Sequence, residues 1–343
     1  MTIMAPASDV ALTVKDLKTF IYTNNRCNKA VNGVSFSIRR GRTLCVVGES
    51  GCGKSVTAAS IMQLLPTLSR IEAGEITYHS DRGDIRIDLL PRNGRKMRAI
   101  RGQDIAMIFQ DPMTALNPVY TIGFQIMEML RYHTRLGWRA RYRKAVELLR
   151  SMGIPLPEQR VDEYPHMYSG GMRQRAMIAM AMSCNPKLLI ADEPTTALDV
   201  TIQAQIFDLM ETLKREHGTA VMLITHDMGV VAELADEVAV MYMGSIVEAG
   251  TVDEVLRTPR HPYTRALLES IPILGRGKAQ EIHAIPGQTP NPYKRPPGCQ
   301  FADRCRYRIA RCETMPEETQ LSGTHRVMCW RHADEEVHLD AAE

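Results

Sequence analysis

"GESGCGKS", residues 48 to 55, decides the reading of this chain. It has the spacing G-x-x-x-x-G-K-S/T and lies between an apolar run, "TLCVVG" (43–48), and a segment of helical pattern (53–65). In a strand–loop–helix setting, such glycines let the backbone wrap a phosphate closely. The loop N–H groups then point inward and the helix N-terminus adds its dipole. Lys54 is expected to reach the β- and γ-phosphates and Ser55 to ligate Mg²⁺. The nucleotide contact is assigned to Gly48, Ser50, Gly51, Cys52, Gly53, Lys54, Ser55 and Val56. A Gly-rich turn without function is the competing explanation, and the flanking strand and helix weigh against it.

Working outward, "DIAMIF" (104–109), "KLLIAD" (187–192), "TAVMLIT" (219–225) and "EVAVMY" (237–242) join 43–48 as short, nearly continuous apolar runs. Such runs suit a parallel sheet covered on both faces. Helical patterns fall at 53–65, 121–133, 139–152, 170–183 and 201–216. The expected class is α/β with a helical portion inserted at about 111–180. After residue 256 prolines recur, apolar periodicity fades, and four of the eight cysteines gather. That tail reads as a small appended domain with few regular elements.

A phosphate loop of this kind needs a strand ending in acids. "LLIADEP" supplies Asp192, expected to hold Mg²⁺, and Glu193, expected to polarise the attacking water. Phosphoryl transfer needs mainly positioning and charge neutralisation, so one metal acid and one base suffice. "YSGGMRQR" (168–175) offers a Ser N-cap and a basic helix. Two glycines opening a helix carry an energetic penalty, which close backbone approach to an anion explains. Gln110 in "FQD", Asp199 in "TTALD" and His226 in "ITHD" complete the set. Singly they read as a polar strand end, an N-cap and a structural histidine; order and spacing make them a constellation.

That constellation resembles the ATPases of ABC transporters over roughly residues 10–255, with Met172 where Gln is commonest in the signature. The resemblance implies a P-loop ABC ATPase fold, a RecA-like core sheet plus a helical subdomain, spanning 8–258. It implies a head-to-tail dimer with ATP between the phosphate loop of one domain and the signature of the other. Ser169, Gly170, Gly171 and Asp199 then serve the partner's ATP. Gln110 senses Mg²⁺ and the γ-phosphate, and His226 contacts the γ-phosphate. Tyr22 is expected to stack on adenine, with Phe20 close by. With Lys54, Asp192, Glu193 and His226 all present, the half-site is expected to hydrolyse ATP.

"QDPMTALNPVYTIG" (110–123), "HPYTRALLESIP" (261–272) and "IPGQTPNPYKRPPGCQFADRC" (285–305) narrow the resemblance to the D-type ATP-binding subunits of dipeptide/oligopeptide importers. It implies an F-type ATP-binding partner, two membrane-spanning permeases, an extracytoplasmic solute-binding protein, and a peripheral place on the cytoplasmic face of the bacterial inner membrane. "HPYT" also reads as a helix start with Pro at its first position. The other class weighed is a soluble ABC ATPase acting on nucleic acid or ribosomes. One cassette and no coiled-coil repeat oppose it, as does a net charge of only +3. No apolar run reaches the length of a membrane span, and the first residues lack a basic, then apolar, leader. A cytosolic chain with reduced thiols is expected.

Cys299, Cys305, Cys312 and Cys329 stand in a polar, arginine-rich setting, unlike core filler. Paired C-x(2–4)-C knuckles are absent, so on spacing alone zinc and an iron–sulfur cluster are both open. The resemblance implies a 4Fe–4S cluster, with zinc as runner-up, in the 259–343 domain. Its distance along the chain from the ATP motifs assigns it no role in hydrolysis. Cys52 is expected to have its thiol pKa lowered by the helix N-terminus, and alkylation there to block ATP.

Overall fold

The computed structural model describes residues 9–24, 26–111, 115–195, 200–270 and 285–333. The chain opens with a long antiparallel pair, β1 (Val10–Thr23) and β2 (Arg26–Arg39). Next come β3 (Thr43–Val47), the phosphate loop and α1 (Lys54–Ile61). Strands β4 (Ser69–Ser80) and β5 (Gly83–Arg86), then α2 (Arg95–Ile100) and β6 (Ile105–Ile108), lead to a helical portion. This contains α3 (Ile122–His133), α4 (Trp138–Ser151), α5 (Pro157–Arg160) and α6 (Gly170–Met182). The chain returns through β7 (Leu188–Asp192), α7 (Val200–His217), β8 (Ala220–Ile224), α8 (Met228–Leu234) and β9 (Glu237–Tyr242). It ends with β10 (Ser245–Thr251), α9 (Val252–Arg257), α10 (Pro262–Glu269), β11 (Thr319–Gln320) and β12 (Arg326–Val327).

Two sheets form. The larger runs β11-β12-β10-β9-β3-β8-β7-β6, with β9, β3, β8, β7 and β6 mutually parallel. All five apolar runs picked out above are its parallel strands. Because successive side chains leave a strand on opposite faces, each buried strand feeds two cores. Leu44 and Val46 point to one, with α1 and the antiparallel sheet β2-β1-β4-β5. Cys45 and Val47 point to the other, with the helical portion and α7. Double burial is why these strands carry no polar alternation.

The antiparallel sheet was not legible as a unit. Its strands are long and bulged, with register shifts between Val14 and Leu17 and between Thr19 and Ile21, which breaks the period-2 signal. The tail packs against the core of the large sheet. Strand β12 pairs with β10 through Glu248–Val327 and Ala249–Arg326, so it extends the large sheet. Phe301 and Tyr263 are buried in the same core as the parallel strands. No helix among the described residues is long and apolar enough to cross a membrane.

Candidate functional site

The phosphate loop joins the end of β3 to α1, and its glycines are dictated by contact. A Cβ on Gly53 (φ 108°) would lie 2.2 Å from the Ala30 carbonyl oxygen, and one on Gly48 (φ 148°) 2.2 Å from that of Met241. Only glycine leaves the loop seated on those two backbones. Lys54 is buried and donates to the carbonyls of Gly48 (2.7 Å) and Glu49 (3.2 Å), so its ammonium already lies within the loop. Ser55 Oγ donates to Asp192 Oδ1 at 3.0 Å. A hydroxyl and a carboxylate together suit a hard cation such as Mg²⁺.

Glu193 follows β7 with φ 47°, an uncommon conformation for a non-glycine residue and one that recurs at functional sites. Its N–H donates to Ile224 O across the sheet. Its carboxylate receives Gln110 Nε2 at 3.2 Å and stands 3.5 Å from His226 Nδ1. The expected base therefore has Gln110 and His226 beside it. Gln110 is directed at Glu193, a contact the spacing did not foretell. Burial raises the Asp192 pKa, the Ser55 hydrogen bond opposes this, and the neighbouring Glu193 charge adds to it.

Ser169 caps α6, its side chain accepting from Met172 N. Gly170 faces open space where a Cβ would sit, whereas Gly171 packs on Ile202. Among the described residues, nothing lies within 4 Å of the Cβ position at Gly170. Asp199 lies outside the described residues. Tyr22 donates its hydroxyl to Glu72 (2.6 Å) and carries the Arg70 guanidinium 4.9 Å over its ring; the Glu72 hydrogen bond, with burial, pushes its pKa up to about 12. Phe20 instead has Lys29 over its ring at 5.7 Å.

The expectation for Cys52 is corrected. Its side chain is 2% exposed, and burial raises its pKa, overriding the opposing pull of Lys54. The thiol is buried in the core cluster under the antiparallel sheet, 3.8 Å from Lys54 Nζ, and desolvation outweighs the ammonium's pull.

The four tail cysteines are gathered but not closed into a ligand set. The Cys299 thiol lies within electrostatic reach of Cys312, Cys329 and Cys305, and burial is the main cause pushing its pKa up to about 11. Among the described residues, no group of three His, Cys, Asp or Glu side chains is placed to hold a metal ion. The Cys305 sulfur nonetheless accepts the Tyr307 N–H at 3.4 Å, and the backbone at Phe301 and Arg331 favours the thiolates of Cys299 and Cys329 against burial. Donors aimed at sulfur suit thiolate ligands, whose charge they offset.

Sequence reasoning missed the residues joining this tail to the phosphate loop. Arg304 forks onto the Glu49 carboxylate, and the Tyr263 hydroxyl accepts the Glu49 N–H at 2.8 Å. Distance along the chain was no guide to distance in space. The available signal was Glu49 itself, a carboxylate inside an anion-binding loop that calls for a compensating cation.

Comparison with known proteins agrees with this geometry. Residues 31–196 match the ABC transporter family model, and residues 247–312 that of the oligopeptide/dipeptide transporter C-terminal region. A probable peptide ABC transporter ATP-binding protein of Sinorhizobium fredii is 49% identical, covering 97% of this chain and 98% of its own length. The oligopeptide transport ATP-binding protein OppD of Bacillus subtilis is 50% identical over 93% of this chain and 88% of its own. The dipeptide transport protein DppD of the same organism is 48% identical over 93% and 94%. Among solved structures, the dimeric bacterial ABC transporter cassette MJ0796 superposes with a TM-score of 0.62 at 26% identity, covering 70% of this chain and 98% of that one.

Proposed function

This chain belongs to the family of ABC transporter ATP-binding subunits, and on that premise we propose that it is the ATPase that energises a di- or oligopeptide importer. The observation that carries the reading is the meeting of Ser55 with Asp192, and of Glu193 with Gln110 and His226, beside one phosphate loop.

In the proposed mechanism Lys54 exchanges its loop carbonyls for β- and γ-phosphate oxygens. Ser55 and Asp192 would hold Mg²⁺, which would neutralise charge on the phosphates. Glu193 takes the proton of the attacking water, with Gln110 and His226 setting its carboxylate. Tyr22 stacks on adenine, Phe20 being the alternative. Ser169, Gly170, Gly171 and Asp199 act on ATP held by a partner ATPase, and the open face at Gly170 supports this. The partner proposed is an F-type paralogue; similarity to relatives named OppD and DppD supports reading this chain as the D-type subunit. Exposed Phe109, Tyr120 and Phe124 around the segment after Gln110 offer apolar surface for two permeases. These imply a peripheral position at the cytoplasmic face of the inner membrane, with a solute-binding protein on the far side.

Cys299, Cys305, Cys312 and Cys329 are proposed to hold a 4Fe–4S cluster, supported by their convergence and by the Tyr307 N–H directed at Cys305. Arg311 over Trp330 and Arg331 over Tyr307 place further positive charge nearby. Anaerobic purification with iron, sulfide and zinc analysis tests this. About four irons and four sulfides per chain, lost in Cys305→Ser, are expected; one zinc or no metal overturns it. For the function itself, Glu193→Gln in the assembled complex is expected to retain ATP while peptide uptake stops.

A further inference from the structure

The phosphate loop of this chain is held from outside by its own tail. Arg304 is 8% exposed, and its two terminal nitrogens meet the two Glu49 oxygens at 2.7 and 2.9 Å. Its Nε donates to Pro286 O at 2.9 Å, and Nη1 reaches the Tyr242 hydroxyl at 3.3 Å, so the fork is fixed in orientation. Thr289 Oγ1 gives Glu49 a further hydrogen bond at 3.1 Å. The Glu49 peptide is thereby tied at three points: carboxylate to Arg304, N–H to Tyr263 and carbonyl to Lys54. Arg295 does the same for the floor beneath. It donates to Lys29 O at 2.7 Å and also to Met243 O, in the turn whose Gly244 N–H meets Cys52 O.

A carboxylate inside a loop built to receive polyphosphate raises an electrostatic difficulty. Left bare, Glu49 would repel the nucleotide and draw Lys54 toward itself. The Arg304 guanidinium cancels that charge, and its hydrogen bonds, acting against burial, hold the Glu49 pKa below the usual carboxylate range. A bidentate fork also fixes direction, which a lysine would not.

We infer that Arg304 is a positioning residue for ATP in this chain's own phosphate loop, acting through Glu49, so that the cysteine-bearing tail and the nucleotide site form one mechanical unit. The inference rests on the nucleotide-binding reading above. It does not require a metal at the cysteines, because each contact is made by side chains of the polypeptide.

The test is ATP affinity, read by calorimetry on the full-length chain for wild type, Arg304→Gln, Glu49→Gln and the double variant. Arg304→Gln leaves the Glu49 charge uncompensated and is expected to weaken ATP about tenfold, with the deficit shrinking as salt rises. Glu49→Gln removes the repulsion and is expected to bind within about threefold of wild type. The double variant is expected to recover most of the loss. In the assembled complex the defect of Arg304→Gln should lie mainly in KM. A folded Arg304→Gln with unchanged affinity overturns the inference, as does a double variant no better than the single one. Should Arg304→Gln fail to fold, Arg304→Lys decides it: the lysine keeps the charge without the fork and is expected to weaken ATP several-fold, and wild-type affinity in this variant overturns the positioning role. Absence of ATP binding by the wild-type chain would instead defeat the functional reading itself.

Discussion

Glu193, the proposed base, sits in an uncommon backbone conformation. Its φ of 47° aims the carboxylate between Gln110 and His226. Glu193→Gln preserves shape and hydrogen bonding to Gln110 but cannot take a proton. ATPase turnover of the assembled complex is expected to fall by about 100-fold or more with ATP binding kept; unchanged turnover refutes the role. Cys52 is the opposite case. Its place in the motif suggested a reactive thiol, yet burial disfavours the thiolate. Iodoacetamide is expected to leave Cys52 unmodified in the folded chain and to modify it in denaturant, as read by peptide mass. The residue types were legible from the motif, but solvent exposure, which sets thiol reactivity, was not.

Among the elements, α10 is expected to depend on pH through its cap. His261 caps it, Nδ1 accepting the Tyr263 N–H at 3.0 Å, so protonation would remove the acceptor. Complete burial depresses its pKa to about 4, against the favourable charge of Glu248. With an unfolded value near 6.5, the stabilisation is complete above about pH 6.5 and is lost as pH falls through about 4. Glu248 faces it and accepts from Arg260 N, His261 N and His325. Burial raises the Glu248 pKa, but those bonds outweigh it and leave it depressed, so its own contribution fades only at lower pH. Urea unfolding at pH 7 and 5 should show wild type losing about 2 kcal/mol more than His261→Asn, which keeps a cap without titrating. Equal losses would discount His261. The Pro262 start of this helix was legible in "HPYT". The buried carboxylate that holds the turn comes from β10 and was not.

At the scale of the whole molecule, tail and catalytic core share one apolar cluster. Phe301 is 3% exposed and packs 5.4 Å from the rings of both Tyr242 and Tyr263. Phe301→Ala is expected to lose about 3–5 kcal/mol of stability. It should also weaken ATP binding, since Tyr263 holds the Glu49 N–H. Ile76→Ala, equally buried in the cluster under the antiparallel sheet, is expected to lose stability without that effect on affinity. Thermal melts paired with ATP titrations separate the two; matching losses of affinity would mean the tail has no special link to the loop.

The sequence alone determined the nucleotide chemistry and the parallel core. Glycine, lysine and serine at set spacing act through local backbone geometry, and doubly buried strands must be apolar throughout. Contacts between distant segments left no periodic trace. Bulges hid the antiparallel sheet, the Glu49–Arg304 fork joins residues far apart in sequence, and the exposure of Cys52 depends on what packs above it. Only the tertiary structure decided these, because burial and charge pairing arise from which surfaces meet, and a local pattern records only one of the two.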